Sequence, residues 1–431
     1  MEQNPFRIDD LPTELLTEII RCFDSAPPSE LRIREQPKAD LFSQPNLKNI
    51  SLVNARWRAL ALPILFKHVI WNITPSDELE PINCHDTIIT FPILKFFMSS
   101  NLATYIKSFT MVVHSRLPAM FIDFETPGVQ HFSWQRLFKL IDPMRISILA
   151  TPQVLTRLLP TMLVTGRRPT DLGAPLYHIL SLERDDKVTP GPDNIRLQDP
   201  RWHPLFNIRP WTHLLLNEGS SIRIYRNYEY FLHRPPSILA HLLGAEDPSH
   251  LPIIPQTLRS MSYIAIFPLA SHFGTLVDNL PPLDKLSVQI VPQNYILWDP
   301  VEMDHVTPGD LWMERNSCYG HIMRRMLAKQ GPEPGQSNHP PTQSSPAHND
   351  NWSSLREFES GDAADKEAWE IAVGYVLASD TDWRVEREGV FVKRGLGTTT
   401  SDAAALSDEN MDFGSSPASS LPSVIPSFSP W

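Results

Sequence analysis

Apolar residues recur at helical spacing near the start of the chain. Four of them fall at i, i+3, i+4 and i+7: Leu16, Ile19, Ile20 and Phe23. This period predicts an amphipathic helix over residues 9–22. Leu15 widens the apolar face, and Pro12 stands in the first turn, where a missing backbone N–H is tolerated.

A second helix is predicted over residues 47–62. Four apolar residues repeat there at helical spacing: Ile50, Val53, Trp57 and Leu60. Pro63 is expected to end this helix, because proline removes a backbone hydrogen bond. The stretch 25–45, rich in proline and charge, is interpreted as a loop between the two helices. Residues 68–73, HVIWNI, alternate between apolar and polar and predict a strand.

Beyond this point strand-like and helix-like segments alternate irregularly. The strand-like segments are residues 108–113, 145–149, 213–216, 222–225, 263–267, 285–291 and 355–358. The helix-like segments are residues 134–141, 152–159, 236–243, 269–279, 313–328 and 363–377. Such alternation favours parallel strands joined by crossover helices. The sequence therefore predicts a mixed α/β fold after an all-α start.

One segment of this region has the spacing of a leucine-rich repeat. Residues 280–290, LPPLDKLSVQI, place Leu283, Leu286, Val288 and Ile290 in an L-x-x-L-x-L-like pattern. In a repeat array such residues point inward, and each unit covers its neighbour. We therefore predict an irregular leucine-rich-repeat-like solenoid. No regular period is visible, so a generic α/β domain with one accidental match remains the alternative.

Two segments have compositions that disfavour a packed fold. Residues 329–351 hold almost no apolar side chain and are rich in Pro, Gln and Ser, so we expect a disordered insert. Residues 395–431 combine Ser, Thr, Pro and Ala with four acidic residues and no Lys or Arg, so we expect a disordered tail. Between them, residues 383–393 alternate around Glu388-Gly389 and predict a β-hairpin that closes the array.

Charge and cysteine content narrow the class of protein. The net charge is −11 and the sequence contains 42 prolines and three cysteines in 431 residues. Phosphate neutralisation needs a basic surface, so nucleic acid is not an expected partner. Three scattered cysteines are no disulfide framework and fit a reducing compartment. No long apolar run predicts a membrane span, and the polar start lacks the pattern of a signal peptide. A cytoplasmic or nuclear location is expected.

The N-terminal segments resemble the F-box family. The matching residues of the first segment are Leu11, Pro12, Glu14, Leu15, Ile19 and Ile20. Those of the second are Leu47, Ile50, Leu52, Val53, Trp57, Arg58 and Leu60. The Leu-Pro-x-Glu-Leu-Leu start and the later Val-x-x-x-Trp-Arg together carry the resemblance, which covers about residues 8–68. The remainder of the chain is similar to the divergent leucine-rich domains that often accompany such boxes in fungi.

The resemblance implies a partner and a set of contact residues. An F-box binds a Skp-type adaptor and thereby joins a cullin–RING (SCF-type) ubiquitin ligase as its substrate receptor. Carried over to this chain, the adaptor-binding residues are Leu11, Pro12, Leu15, Ile19, Ile20, Leu52, Val53 and Trp57. Trp57 is expected mainly to brace the helices. No motif in the sequence identifies the target protein that such a receptor would bind.

These predictions divide the chain into three parts. An F-box-like domain spans residues 8–68 with an insertion at 25–45, a recognition domain spans 69–394 with the insert 329–351, and a tail spans 395–431. The insertion sets the two halves of the box further apart than the family's pattern does. It motivates an alternative, in which the chain is a scaffold whose box no longer engages a ligase.

The sequence offers little that points to catalysis. It shows no G-x-G-x-x-G, P-loop, H-E-x-x-H or G-x-S-x-G pattern. Cys318 and His321 are close in sequence, whereas catalytic pairs usually are not, so Cys318 is interpreted as a plain cysteine. We predict no catalytic residue, no metal and no cofactor. Trp202, Trp211 and Trp298 adjoin prolines and are predicted mostly to fill the core, with one or two available as contacts to a target.

Overall fold

A computed structural model gives the fold of the chain. It describes residues 8–24, 45–73, 92–113, 134–159, 177–185, 204–246, 252–292, 295–327, 350–362, 365–378 and 382–394. The predicted loop 25–45, apart from Pro45, lies outside the described residues. So do the tail 395–431 and most of the insert 329–351.

A single ten-stranded sheet organises the described residues. Its strands are β1 (His68–Ile73), β2 (Ser108–Val113), β3 (Arg145–Ala150), β4 (His178–Glu183), β5 (His213–Ser220), β6 (Ser260–Ile266), β7 (Lys285–Gln289), β8 (Glu357–Ser360), β9 (Trp383–Arg387) and β10 (Val390–Lys393). Strands β1 to β8 lie side by side in chain order, and β10 lies between β8 and β9. Each strand thus pairs with its neighbour in sequence until the last hairpin.

Five of the nine strand pairs among the described residues are parallel and four are antiparallel. Strand β4 runs antiparallel to both β3 and β5, and the hairpin of β9 and β10 joins β8 in antiparallel pairing. Gly389, at the turn of this hairpin, has φ of 78°, a left-handed conformation that favours glycine. The predicted closing hairpin is therefore confirmed.

Eleven α-helices are found in the described part of the chain. They are α1 (Thr13–Arg21), α2 (Pro45–Ile50), α3 (Ala55–Leu65), α4 (Pro92–Ser99), α5 (Trp134–Leu140), α6 (Pro152–Leu158), α7 (Pro204–Ile208), α8 (Leu239–Leu242), α9 (Ala270–Asp278), α10 (Pro308–Leu327) and α11 (Lys366–Ala378). The predicted mixed α/β fold with an all-α start is confirmed. No described helix is long and apolar enough to cross a bilayer.

The two faces of the sheet differ in chemistry. Phe109, Ile148 and Met261 lie in one core with side chains from α4 to α11, so the helices cover the face that these strand residues present. One row of alternate strand positions, which point to the other face, carries small polar residues on five strands, with Leu215 of β5 between them. They include Thr110, Ser147 and Ser181, then Ser262 and Ser287. Ser147 and Ser181 join through their hydroxyls at 2.7 Å.

Several predicted elements were wrong. The predicted helix over residues 47–62 is two helices, because Asn54 accepts a hydrogen bond from the Trp57 backbone N–H at 2.9 Å and begins α3 there. Pro63 does not end α3, since the helix continues to Leu65. The segment 222–225, predicted as a strand, is a 3-10 turn, Ile222–Arg226.

Two boundaries also change, and one strand was missed. Helix α1 begins at Thr13, and Ile8–Asp10 before it forms a 3-10 turn. Strand β4 was not predicted, although its last residue, Glu183, pairs with Arg145 of β3 at 2.7 Å. The predicted disordered insert ends too late, because residues 350 and 351 belong to the 3-10 turn Asp350–Ser353.

Candidate partner-binding site

Helices α1, α2 and α3 form a small bundle at the start of the chain. Its buried core consists of five side chains: Leu16, Ile20, Leu47, Trp57 and Ala61. Leu11, Ile50, Leu60, Ile64 and Leu65 pack partly buried around them. A core of this size hides only one side of each short helix, so apolar residues on the other sides stay at the surface.

Two residues at the start of α3 fix the Leu-Pro start of α1. The Trp57 ring Nε1–H donates to the Asp9 carboxylate at 2.6 Å. The Arg56 guanidinium donates to the carbonyl oxygens of Asp9 at 2.6 Å and Leu11 at 2.7 Å. The carbonyl groups of Asp9 and Leu11 precede α1, and the hydrogen bonds from Arg56 satisfy them. These hydrogen bonds hold Leu11 and Pro12 against α3.

The bundle is also tied to the sheet. The Lys67 ammonium forms an ion pair with the Asp24 carboxylate just after α1. The Lys67 carbonyl accepts hydrogen bonds from the backbone N–H groups of Lys107 at 2.8 Å and Ser108 at 3.1 Å, where β2 begins. Since β1 follows Lys67 directly, the bundle is continuous with the first strand pair.

Large apolar side chains remain exposed on the bundle. Leu15 is 51% exposed and Leu52 is 68% exposed, and Ile19 and Val53 are also exposed. Leu15 and Ile19 are one helical turn apart on α1, whereas Leu52 and Val53 occupy the turn between α2 and α3. Exposed apolar residues that cluster on a small unit are typical of a surface that binds a partner.

The predicted contact residues separate into three groups. Pro12, Leu15, Ile19, Leu52 and Val53 lie at the surface, and Leu11 is partly buried. Ile20 is corrected as a contact residue, because it lies in the bundle core, and Trp57, expected mainly to brace the helices, lies in the same core. Ile20 is fully buried and cannot contact a partner in this arrangement. Trp57 supports the start of α1 through its hydrogen bond to Asp9.

Sequence reasoning missed three residues of this site. Ile8 and Phe23 are exposed apolar side chains that lie before and after α1. The helical period places Phe23 on the same stripe as the buried Leu16, but α1 ends at Arg21, so Phe23 lies outside the helix that the period describes. No sequence pattern marks Arg56, because its contacts join residues 45 and more positions apart.

A buried polar cluster elsewhere was also invisible to sequence patterns. Glu218 on β5 accepts hydrogen bonds from the Tyr263 hydroxyl at 2.6 Å, from His272 Nε2 at 2.8 Å and from the Ser237 hydroxyl. Burial alone would raise the pKa of Glu218, but the hydrogen bonds and neighbouring histidines lower it to about 2. Burial lowers the pKa of the nearby His178 to about 4. All of these side chains are buried, and the cluster braces the core where β4, β5 and β6 meet.

The cysteine and tryptophan candidates have different outcomes. Cys318 is fully buried, its thiol lies 3.7 Å from the Pro268 carbonyl, and burial raises the pKa of this thiol. A buried thiol of raised pKa is a poor nucleophile.

Trp211 is buried as predicted, whereas Trp298 is exposed, and Trp202 lies outside the described residues. Among the described residues no group of His, Cys, Asp and Glu is arranged to hold a metal ion.

Comparison with known proteins does not assign the chain to a family. No family model, no curated protein and no solved structure matches it.

Proposed function

We propose that this chain is the substrate receptor of an SCF-type, cullin–RING ubiquitin ligase in the cytoplasm or nucleus. In this proposal, the N-terminal bundle is an F-box that binds a Skp-type adaptor, and the rest of the chain binds a target protein. One observation carries the proposal. The bundle exposes six large apolar side chains and buries five: the exposed ones are Ile8, Leu15, Ile19, Phe23, Leu52 and Val53.

The energetic argument starts from these exposed side chains. Fully burying a Leu, Ile, Val or Phe side chain stabilises an assembly by about 1.5–3 kcal/mol. Leu15, Ile19 and Leu52 are 51%, 37% and 68% exposed, so a partner that covered all three would gain between one and two times that amount before the entropy of association is subtracted. The F-box resemblance of the same residues makes a Skp-type adaptor the partner we propose. The fixed Leu11-Pro12 start would present part of this surface without rearrangement.

The recognition domain is proposed to be a divergent leucine-rich-repeat-like solenoid. Three observations support this: strands β1 to β8 follow chain order, most pairs are parallel, and the helices share one face of the sheet. The reversed strand β4 and the unequal helix lengths make the array irregular. In a solenoid each unit contacts mainly its neighbours, and the elongated surface that results suits target binding.

Under this proposal the chain performs no covalent chemistry of its own. Its contribution is to hold a target close to the ubiquitin-charged enzyme of the ligase. Tethering turns an encounter between two proteins into an intramolecular event and raises the effective concentration of the target. The relevant measurements are therefore of binding and of target ubiquitination in the assembled ligase.

The test replaces two exposed residues of α1. The double variant Leu15→Asp, Ile19→Asp puts two carboxylates on the proposed adaptor face, and adaptor affinity should fall by at least about 100-fold, since a contact hot spot is worth ~2 kcal/mol or more. The matched control is Ile371→Asp, Tyr375→Asp, two similarly exposed residues at the same spacing on α11. Affinity for a purified Skp-type adaptor is measured on the full chain.

The outcomes separate the proposal from its alternative. Loss of adaptor binding in the α1 variant alone supports the assignment of this face. Equal binding by the α1 variant and the wild type contradicts that assignment. A wild-type chain that binds no Skp-type adaptor would instead be the scaffold, with a box that engages no ligase.

A further inference from the structure

A second, smaller core lies beyond the carboxyl ends of β5 and β6. It is built from Ile222, Ile224, Tyr225, Tyr230, Ile266, Phe267, Leu269 and Leu311. Two loops pack on it, residues 222–234 after β5 and residues 295–307 before α10; Ile296, Leu297 and Met303 of the second loop lie against it. The two loops therefore share one apolar support.

Ion pairing and hydrogen bonds join these loops directly. The Arg223 guanidinium contacts both carboxylate oxygens of Glu302, at 2.6 and 3.1 Å. The Arg226 guanidinium donates to the Val301 carbonyl at 2.5 Å. Beneath them, the Tyr225 hydroxyl donates to the Phe267 carbonyl at 3.1 Å. A two-point contact by Arg has a defined geometry, so the loops are held in fixed relation to each other.

The outer side of these loops is rich in exposed apolar side chains. Tyr228 is 96% exposed and Trp298 is 78% exposed, and Phe231, Leu232 and Val301 are also exposed. We call these five residues the aromatic platform. Tyr and Trp dominate binding energy at protein interfaces because their large, rigid surfaces lose little entropy on binding.

The charges around the aromatic platform indicate what it would bind. Tyr228 is followed directly by Glu229 and Trp298 by Asp299, and Asp304 is exposed on the same loop. Among the acidic and arginine residues of loops 222–234 and 295–307, the exposed ones are these three carboxylates and one arginine, Arg234, while Glu302 is already held by Arg223. The faces of Trp and Tyr rings also attract cations. The surface therefore complements a positively charged, partly apolar partner.

We infer that the aromatic platform binds a basic, aromatic-containing segment of a protein, with Arg or Lys over Tyr228 and Trp298 and near Glu229 and Asp299. Such a segment would belong to the target, and in that sense the inference rests on the proposed function. Binding of the segment itself does not require a ligase. The surface is separate in sequence from the bundle that would hold the adaptor.

The test uses three synthetic peptides of equal length. The first alternates Phe with Arg, the second alternates Phe with Asp, and the third alternates Ser with Arg. Fluorescence anisotropy with the full chain should show the Phe–Arg peptide binding at least about 10-fold more tightly than either of the others. Its binding should weaken as salt is added, because surface charges are screened. Equal binding of the Phe–Asp peptide would overturn the charge argument, and equal binding of the Ser–Arg peptide would overturn the aromatic one.

Variants locate the binding on the surface. Tyr228→Ala with Trp298→Ala should weaken the Phe–Arg peptide by about 30-fold or more, the loss expected from one hot spot. Tyr375→Ala, an exposed tyrosine on α11, is the matched control and should bind as the wild type does. Unchanged binding by the double variant would show that the peptide binds elsewhere and would contradict the inference.

Adaptor affinity measured on the same proteins keeps the two proposals apart. The platform variant should bind the Skp-type adaptor normally, and the Leu15→Asp, Ile19→Asp variant should bind the peptide normally. A chain that binds the peptide but no adaptor would contradict the ligase proposal and support the platform. A chain that binds the adaptor but no peptide would do the reverse.

Discussion

The N-terminal bundle and the ten-stranded body differ in the share of their large apolar side chains that they bury. The body encloses most of its large apolar residues in two cores, the main one between the sheet and the layer of helices and the smaller one beyond β5 and β6. The bundle has five buried side chains and leaves six large apolar ones at its surface. The body even buries a carboxylate, Glu218, with three hydrogen-bond donors around it.

The difference indicates how the two regions are specialised. A region whose stability comes from its own core tolerates few changes inside and many outside. A region that exposes much of its apolar surface depends on a few internal contacts, and its exposed side chains are available for contact with another molecule. In the bundle those internal contacts are the five core residues and the brace from Arg56 and Trp57 to the start of α1.

The largest effect is expected at the centre of the body. Glu218→Ala removes the acceptor shared by Ser237, Tyr263 and His272 and leaves their polar groups buried without it. The free energy of unfolding should fall by about 4 kcal/mol, as is typical when one member of a buried charged network is lost. Urea unfolding monitored by far-UV circular dichroism measures this change. Glu370→Ala, at an exposed position on α11, is the control and should change stability little.

A smaller and more local effect is expected in the bundle. Trp57→Ala empties part of the small core and removes the hydrogen bond to Asp9. We expect a local loss of about 3 kcal/mol, at the lower end for a buried tryptophan because so small a core can partly collapse. Hydrogen exchange should speed up in α2 and α3 and remain slow in β2 and β3. Equal acceleration in the sheet would show that the two regions unfold as one.

The smallest effect on stability is expected at the exposed turn of the bundle. Leu52→Ser with Val53→Ser removes two side chains that the chain itself does not bury. Surface substitutions of this kind usually change the free energy of unfolding by no more than about 0.5 kcal/mol. Urea unfolding of the double variant tests this directly. A loss well above ~1 kcal/mol would mean that these residues are structural, and the comparison between the two regions would fail.

Some of this architecture could be predicted from sequence and some could not. Strand β2 and the helix starts at Trp134 and Pro152 agree with the predicted segments, because each has a clear apolar period and a well-marked boundary. Strand β4 was missed because its apolar residues point to both faces, Ile179 to one and Leu180 and Leu182 to the other. Neither a strand period nor a helix period therefore stands out. Its identity as a strand depends on pairing with β3 and β5, which is a property of the fold.

The same limit applies to the candidate site. The resemblance pointed to α1 and to the turn before α3 but could not decide which of two adjacent isoleucines on α1 is exposed. Neighbouring residues on a helix differ by about 100° in direction, so a rotation of the helix by that angle about its axis would exchange Ile19 with Ile20. The position of α3 decides this rotation through Trp57 and Ala61. Residues 222–225 were wrongly predicted as a strand for a related reason. Their apolar alternation belongs to a 3-10 turn whose apolar side chains pack in the second core.

The order of the last three strands has a consequence for how the protein is made. Strands β1 to β8 are added to the sheet in the order in which a ribosome would release them, so each can join an edge that already exists. Strand β9 cannot, because its only strand partner among the described residues is β10, which is synthesised after it. The far end of the array therefore assembles only when residues 390–393 have emerged, and a nascent chain that stops short of them leaves the edge of β8 open to other strands.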